Sequence, residues 1–129
     1  MNRFFITTFF VILMAGSACF SSERVALVIG INDYPDEDSS FRDLRNCVPD
    51  AKLIAKTLRE VGFDVIEKLD PNLIEIEMAL EEFEERIEPG GTAFVYFAGH
   101  GIEFEGHNYL MASNARLRGK SWLQEEGVK

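Results

Sequence analysis

The chain has 129 residues, of which 47% are hydrophobic, 27% charged and 12% aromatic, and its formal net charge is −9. This composition is typical of one globular domain and excludes a disordered or collagen-like chain. The negative charge disfavours sequence-independent binding to nucleic acid or to an anionic membrane, so we expect neutral or basic partners.

The N-terminal segment has the pattern of a signal peptide. Arg3 is the only charged residue among the first 22, and an apolar run follows it from Phe4 to Met14. That run is too short to span a bilayer and leads into the small residues 15–18. We predict a signal peptide over residues 1–18, extending at most to 22, a secreted or periplasmic mature chain, and no transmembrane segment. Cys19 directly after the cleavage point leaves a lipid-anchored protein as the alternative.

Two cysteines, Cys19 and Cys47, are too few for the multi-bridge framework that stabilises small secreted domains. Residues 24–129 are therefore expected to form one domain that is stabilised by packing.

The first strand and helix of this domain are predicted from apolar spacing. Val25–Ile31 is a continuous β-branched run, typical of a strand buried on both faces. An amphipathic helix is expected from Pro49 to Val61, with Asn46 as its candidate N-cap and Gly62 as its stop signal. Its apolar face would consist of Leu53, Ile54, Thr57, Leu58 and Val61.

A second strand–helix pair follows. The strand is predicted over Phe63–Leu69, and Asp70 with the following proline opens a helix that ends at residues 89–91. Apolar residues at helical spacing predict the buried face of this helix: Leu73, Ile76, Leu80, Phe83 and Ile87.

The remaining elements are a third strand and a hairpin. Thr92–Ala98 is predicted to be a buried strand, and Ile102–Met111 a hairpin or an extended excursion that turns at Gly106. Ser121–Lys129 has the pattern of the opening of a further helix.

The order β-α-β-α-β predicts an α/β fold with right-handed crossovers and a mostly parallel sheet covered on both sides. Sites in such sheets lie beyond the carboxyl ends of the strands. Three segments fall there: Asn32–Cys47, the loop near Asp70, and residues 99–101. His100, between two glycines, is thus the first catalytic candidate, with a purely structural histidine as the alternative. We expect His107, in a polar turn, to be solvated.

Four segments resemble the caspase-like cysteine peptidases, most closely their bacterial caspase-family and metacaspase branch. They are VALVIGIN from Val25, LRNCVPDA from Leu44, LREVGF from Leu58 and YFAGHG from Tyr96. With the extended segment around Tyr109, the resemblance runs from about residue 24 to 115. It implies a Rossmann-like three-layer sandwich. It also implies that His100 is the base or acid partner of a cysteine nucleophile and that Gly101 helps to form the oxyanion hole.

The nucleophile is not found after His100, because no cysteine follows it in the sequence. In caspases the cysteine lies about 50 residues after the histidine. We therefore expect this chain to be the N-terminal part of a peptidase, truncated before the nucleophile strand and inactive alone, with a downstream domain in the full-length protein. A Cys47–His100 dyad is the less favoured alternative, since a helix start favours a thiolate.

Cys47 and Asp50 instead resemble the substrate-binding segment of metacaspases. An acidic side chain at Asp50 implies a preference for arginine or lysine before the cut bond, and a carboxylate does favour such partners. A residue that only stabilises the helix start is the alternative reading of Asp50. Ala98 stands where metacaspases often carry a serine, which removes one polar contact.

No cofactor is expected. Some metacaspases need calcium, but the acidic loop does not fit EF-hand spacing, and a solvated turn is favoured there: Asp33, Asp36, Glu37 and Asp38. The sequence thus predicts a caspase-like endopeptidase that acts on peptides or proteins. A non-catalytic pseudo-protease that binds partners remains the alternative. A nucleotide-binding domain is disfavoured, because Gly30 is not followed by the glycines or lysine of a phosphate loop.

Overall fold

Strands and helices alternate along the chain as the sequence predicts. The computed structural model describes residues 23–34, 41–116 and 127–128. The elements are β1 (Arg24–Gly30), α1 (Cys47–Glu60), β2 (Asp64–Leu69), α2 (Leu73–Glu85), β3 (Thr92–Ala98), β4 (Gly101–Phe104), β5 (His107–Met111) and β6 (Gly127–Val128). The signal peptide, the lipid-anchor alternative at Cys19 and most of the acidic loop lie outside the described residues.

β1 is the central strand of a parallel sheet in the order β2-β1-β3. Its residues from Val25 onward are buried, as predicted for a strand covered on both faces. Gly30 lies opposite Leu69 of β2 and Ala98 of β3. The carboxyl ends of all three strands therefore reach the same level at one edge of the sheet.

The two helices cover opposite faces of β1. Ala51 and Ala55 of α1 pack with Val28, whereas α2 packs on the face that carries Leu27 and Ile29. Alternating side chains of one strand point to opposite faces, so these contacts place one helix on each side of the sheet. The three-layer α/β fold is confirmed.

The buried face of α1 differs from the predicted one. Leu53 is 63% exposed and Val61 is 52% exposed, whereas Ala51 and Ala55 are fully buried. Small side chains let the helix lie close to β1, and this proximity selects the alanine face over the bulkier apolar residues. Two of the predicted residues, Ile54 and Leu58, do pack against the core.

α2 begins and ends inside its predicted limits. Asn72 is the N-cap: its side chain accepts a hydrogen bond from Glu75 N–H, and the Glu75 carboxylate accepts one from Asn72 N–H. This capping box starts the helix after Pro71. The helix ends at Glu85, because Arg86 and Ile87 bond three residues back in a tightened last turn. Ile87 is consequently 43% exposed.

β3 has the predicted limits but is not buried. Phe94 is 40% exposed and Val95 is 54% exposed, and these neighbours point to opposite faces of the sheet. The physical reason is that β3 pairs on only one side, with β1, in the part of the chain that the structure describes.

The predicted hairpin is confirmed as β4 and β5, which pair antiparallel. Its turn residues Glu105 and Gly106 both have positive φ, 52° and 78°, as a tight hairpin turn requires. β6 pairs with β5, so the predicted helix over Ser121–Lys129 is wrong at Gly127–Val128. Glycine is a poor helix former, and the β5 edge supplies alternative backbone partners. Within the described ranges, no helix is long and apolar enough to cross a membrane.

Candidate functional site

Asp70 ties the loop after β1 to the end of β2. Its carboxylate oxygen Oδ1 accepts hydrogen bonds from the backbone N–H groups of Asn32, at 2.6 Å, and Asp33, at 3.1 Å. Its own N–H donates to Gly30 O at 2.8 Å. Asp70 has a φ of 50°, a conformation that a non-glycine residue adopts at a cost. The bonds to the neighbouring loop hold it there.

Asn32 connects the same loop to the start of α1. The N-cap Asn46 makes no side-chain capping bond. Instead, Asn32 Oδ1 accepts a hydrogen bond from Val48 N–H at 3.1 Å, and Asn32 Nδ2 donates to Arg45 O at 3.4 Å. One of the donors left over at the helix N-terminus is thus satisfied by a residue 16 positions upstream.

His100 lies where β3 ends, and one nitrogen of its imidazole ring has a hydrogen-bond partner in the structure. Nε2 lies 2.8 Å from the backbone carbonyl oxygen of Arg42. A carbonyl oxygen can only accept a hydrogen bond, so Nε2 carries the proton. Nδ1 is therefore the basic nitrogen of the neutral ring. The ring is partly buried between Tyr34 and Phe41, at centroid distances of 4.7 and 5.1 Å.

The two glycines beside His100 have different roles. A side chain at Gly99 would place its Cβ 2.8 Å from both Tyr34 Oη and Phe97 Cζ, so the packing requires glycine there. A Cβ at Gly101 would meet only Tyr109 O, at the ordinary contact distance of 3.6 Å. The packing around β4 therefore leaves space beside the Gly101 backbone, where the resemblance expects an oxyanion site.

Cys47 and Asp50 lie together in the first turn of α1. Burial raises the pKa of the Cys47 thiol, and the Asp50 carboxylate raises it further. The expected thiolate-favouring effect of the helix start is therefore overridden, which argues against Cys47 as an activated nucleophile. Asp50 itself is exposed at the carboxyl edge.

Residues 23–34 and 41–116 contain no group of three or more histidine, cysteine, aspartate or glutamate side chains close enough together to hold a metal ion. Asp33 is exposed and engages Asp70 through its backbone, while Asp36, Glu37 and Asp38 lie outside the described residues. The solvated turn expected there, in preference to a calcium site, stays a prediction. His107 is exposed, as expected.

A surface cavity of about 330 Å³ lies at the opposite edge of the sheet, near the amino ends of β1 and β2. Arg24, Asp64 and Arg86 line it with several glutamates, and Arg86 is paired with Asp64 at 2.7 Å. The cavity is separated from His100 by the length of the strands, so it does not contribute to the candidate site.

Sequence reasoning located the three loops of the site, including the one near Asp70, but it assigned no role to Asp70, Tyr34 or the Arg42 carbonyl. An aromatic residue within an otherwise polar loop is a signal of a buried anchor, and it identifies Tyr34. Asp70 directly follows a strand at the site-forming edge, which is a weaker signal. A backbone carbonyl leaves no trace in the sequence.

Comparison with known proteins identifies the family of this chain. The family model described as "Caspase domain" matches residues 23–124. The chain is 28% identical over 95 residues to mucosa-associated lymphoid tissue lymphoma translocation protein 1 of Homo sapiens, and equally to its homologue in Mus musculus. The match covers 74% of this chain but 11% of each relative. With residues 23–124 matched to the family model and a parallel three-layer fold, the chain belongs to the caspase domain family.

Proposed function

We propose that this chain is the N-terminal part of a cysteine-type endopeptidase, in which His100 exchanges protons with a thiol nucleophile. The observation that carries the proposal is the 2.8 Å bond between His100 Nε2 and Arg42 O. It fixes the tautomer in which Nδ1 holds the lone pair that a general base needs.

In the proposed reaction, Nδ1 of His100 takes the thiol proton and the thiolate attacks the peptide carbonyl carbon. The developing oxyanion accepts hydrogen bonds, one of them from the Gly101 N–H. The imidazolium then gives its proton to the leaving amine, and a thioester to the enzyme remains. Water, deprotonated by the same nitrogen, hydrolyses the thioester and regenerates the thiol. Nε2 keeps its proton throughout.

The nucleophile of this proposal comes from polypeptide outside the 129 residues. No cysteine follows His100 in the sequence, and the thiol of Cys47 has a raised pKa. A caspase nucleophile about 50 residues after the histidine would fall near position 150.

Asp50 supports a preference for Arg or Lys before the cut bond. It is an exposed carboxylate in the first turn of α1, at the same sheet edge as His100. Such a group gains a charge-assisted hydrogen bond with a guanidinium or ammonium group and repels an acidic side chain. This assignment follows the metacaspase resemblance of Cys47 and Asp50.

The first experiment measures hydrolysis of arginyl, lysyl and aspartyl peptides by the 129-residue chain. We expect no turnover above background, because a base without a nucleophile leaves only positioning and oxyanion stabilisation. Turnover abolished by both Cys47→Ser and His100→Ala, and unaffected by the matched His107→Ala control, would establish the dyad and overturn the placement of the nucleophile.

The second experiment uses a chain extended through its downstream coding sequence. If that extension supplies a cysteine-bearing strand, we expect cleavage after Arg or Lys that His100→Ala abolishes. Asp50→Ala should lower kcat/KM for these substrates about tenfold or more with the fold intact. Glu77→Ala, which removes an exposed carboxylate from α2, is the control of equal charge. Preference for aspartate would contradict the assignment of Asp50.

A non-catalytic interaction module is the second candidate function. The observation in its favour is that burial and the Asp50 carboxylate raise the pKa of Cys47, the single thiol within the described ranges. Downstream DNA that encodes no cysteine-bearing strand would favour this module over the peptidase.

A further inference from the structure

A closed set of three hydrogen bonds holds the backbone of His100. The His100 N–H donates to Tyr34 Oη at 2.9 Å, and the Tyr34 hydroxyl donates to Met111 O at 3.3 Å. The Met111 N–H completes the set by donating to His100 O at 3.0 Å. Both backbone polar groups of His100 are thus fixed, one to a side chain from the loop after β1 and the other to β5.

Tyr34 also reaches the segment that holds the imidazole ring of His100. Its backbone N–H donates to Asp43 Oδ1 at 2.9 Å. Asp43 directly follows Arg42, whose carbonyl oxygen accepts from Nε2. The aromatic ring of Tyr34 meets the His100 ring edge-on at 4.7 Å. One residue therefore contacts the histidine backbone, the histidine ring and the segment that selects its tautomer.

We propose that Tyr34 is the positioning residue of His100, fixing its backbone through the hydroxyl and its tautomer through the bond to Asp43. This inference rests on the proposed function, because Tyr34 acts only through the histidine base.

Packing and charge support this role. Tyr34 is 5% exposed, and its hydroxyl reaches the His100 backbone over Gly99, where any side chain would collide with it. Burial raises the pKa of Tyr34 to about 12. The hydroxyl therefore keeps the proton that it donates to Met111 across the whole range in which a histidine titrates.

The test compares the 129-residue chain with Tyr34→Phe by NMR, well above the ordinary histidine pKa of about 6.5. The ¹⁵N shifts of the imidazole report the tautomer, and hydrogen exchange reports the His100 amide. In the unmodified chain we expect the Nε2–H tautomer and a protected amide. Tyr34→Phe should accelerate exchange of that amide by about tenfold, because the amide loses its hydrogen-bond acceptor and tenfold corresponds to the net free energy of about one hydrogen bond. The β1 amides should stay protected.

A second variant and a control isolate the two contacts. Asp43→Ala alters an exposed side chain and should leave the fold intact, yet it should mix the two tautomers of His100 by releasing the Arg42 segment. Tyr109→Phe removes a hydroxyl from another buried tyrosine and should change neither readout.

The outcomes separate the inference from the proposed function. An Nδ1–H tautomer in the unmodified chain would contradict the function of His100 as base and the inference with it. If the tautomer is Nε2–H but Tyr34→Phe and Asp43→Ala leave His100 exchange and shifts unchanged, Tyr34 is only a core residue and the inference alone fails.

Discussion

Gly30 sets the distance between β1 and α1, and replacing it by alanine is the sharpest test of the packing. It is the last residue of β1 and is buried. A Cβ at this position would lie 2.5 Å from Ala51 Cβ and 2.6 Å from Cys47 O. One of these atoms belongs to the helix backbone, so a rotamer change cannot relieve the collision.

The cost of Gly30→Ala follows from these distances. Non-bonded carbon atoms need about 3.5–4.0 Å, so α1 must retreat by roughly 1 Å. Overpacking of this kind costs about 1–3 kcal/mol. The retreat also lengthens the 3.1 Å bond from Val48 N–H to Asn32 Oδ1 that caps the helix. We therefore expect the free energy of unfolding to fall by about 2–3 kcal/mol, with Tm lower by roughly 10–20 °C.

Urea unfolding followed by circular dichroism measures this loss. Gly101→Ala is the matched control, since its Cβ meets nothing closer than Tyr109 O at 3.6 Å. Alanine there should be neutral or stabilise the chain by up to about 1 kcal/mol. If Gly30→Ala were as stable as Gly101→Ala, the close approach of α1 to β1 would be refuted.

Asn72→Ala removes the capping box of α2 and should cost about 1 kcal/mol in urea unfolding; an unchanged midpoint would contradict the cap. The raised pKa of Tyr34, about 12 against 10 in the unfolded chain, makes the unfolded state lose its proton first as pH rises. The contribution of Tyr34 to stability is then fully present below about pH 10 and falls by up to about 3 kcal/mol towards pH 12, so Tyr34→Phe should make this decline shallower in unfolding curves at a series of pH values. The raised pKa of the Cys47 thiol predicts slower alkylation of the Cys47 peptide by iodoacetamide in the native than in the urea-unfolded chain, read by mass spectrometry; faster native alkylation would show an activated thiol. Expression in a bacterial host should yield a mature chain cut after Ala18, and an intact Met1 in a soluble cytoplasmic product would contradict secretion.

The elements of the fold were predictable because apolar spacing is a local property. β1 and the hairpin turn at Gly106 follow from short sequence patterns, and both are confirmed. The buried face of α1 was not predictable, because it depends on Gly30 admitting Ala51 to close contact and on Ala51 and Ala55 packing with Val28. The exposure of β3 depends on which strands pair with it. The apolar pattern of Thr92–Ala98 does not indicate how many strands pair with it.

The candidate site was predictable in its position but not in its connections. Parallel strands end at one edge, so the loop after β1 and the residues near Asp70 and His100 were expected to meet. The atoms that fix the histidine are a tyrosine hydroxyl 66 residues away and a backbone carbonyl 58 residues away. Such long-range hydrogen bonds follow from the tertiary arrangement. The sequence shows that a tyrosine hydroxyl is present, but every residue has a backbone carbonyl, so the residue type does not indicate which carbonyl binds the histidine.

The exposed strand β3 makes ionic strength a determinant of how the chain behaves in solution. Thr92–Ala98 contains no charged residue, and its middle exposes Phe94 and Val95 on opposite faces. In the part of the chain that the structure describes, β3 has one unpaired edge, and an uncharged edge of this kind invites pairing between copies. Repulsion between copies that each carry a net charge of −9 opposes such contact. Salt screens this repulsion, because the Debye length falls from about 10 Å at 0.1 M salt to about 3 Å at 1 M. Added salt should therefore drive this chain towards self-association, the opposite of its effect on a complex held by ion pairs.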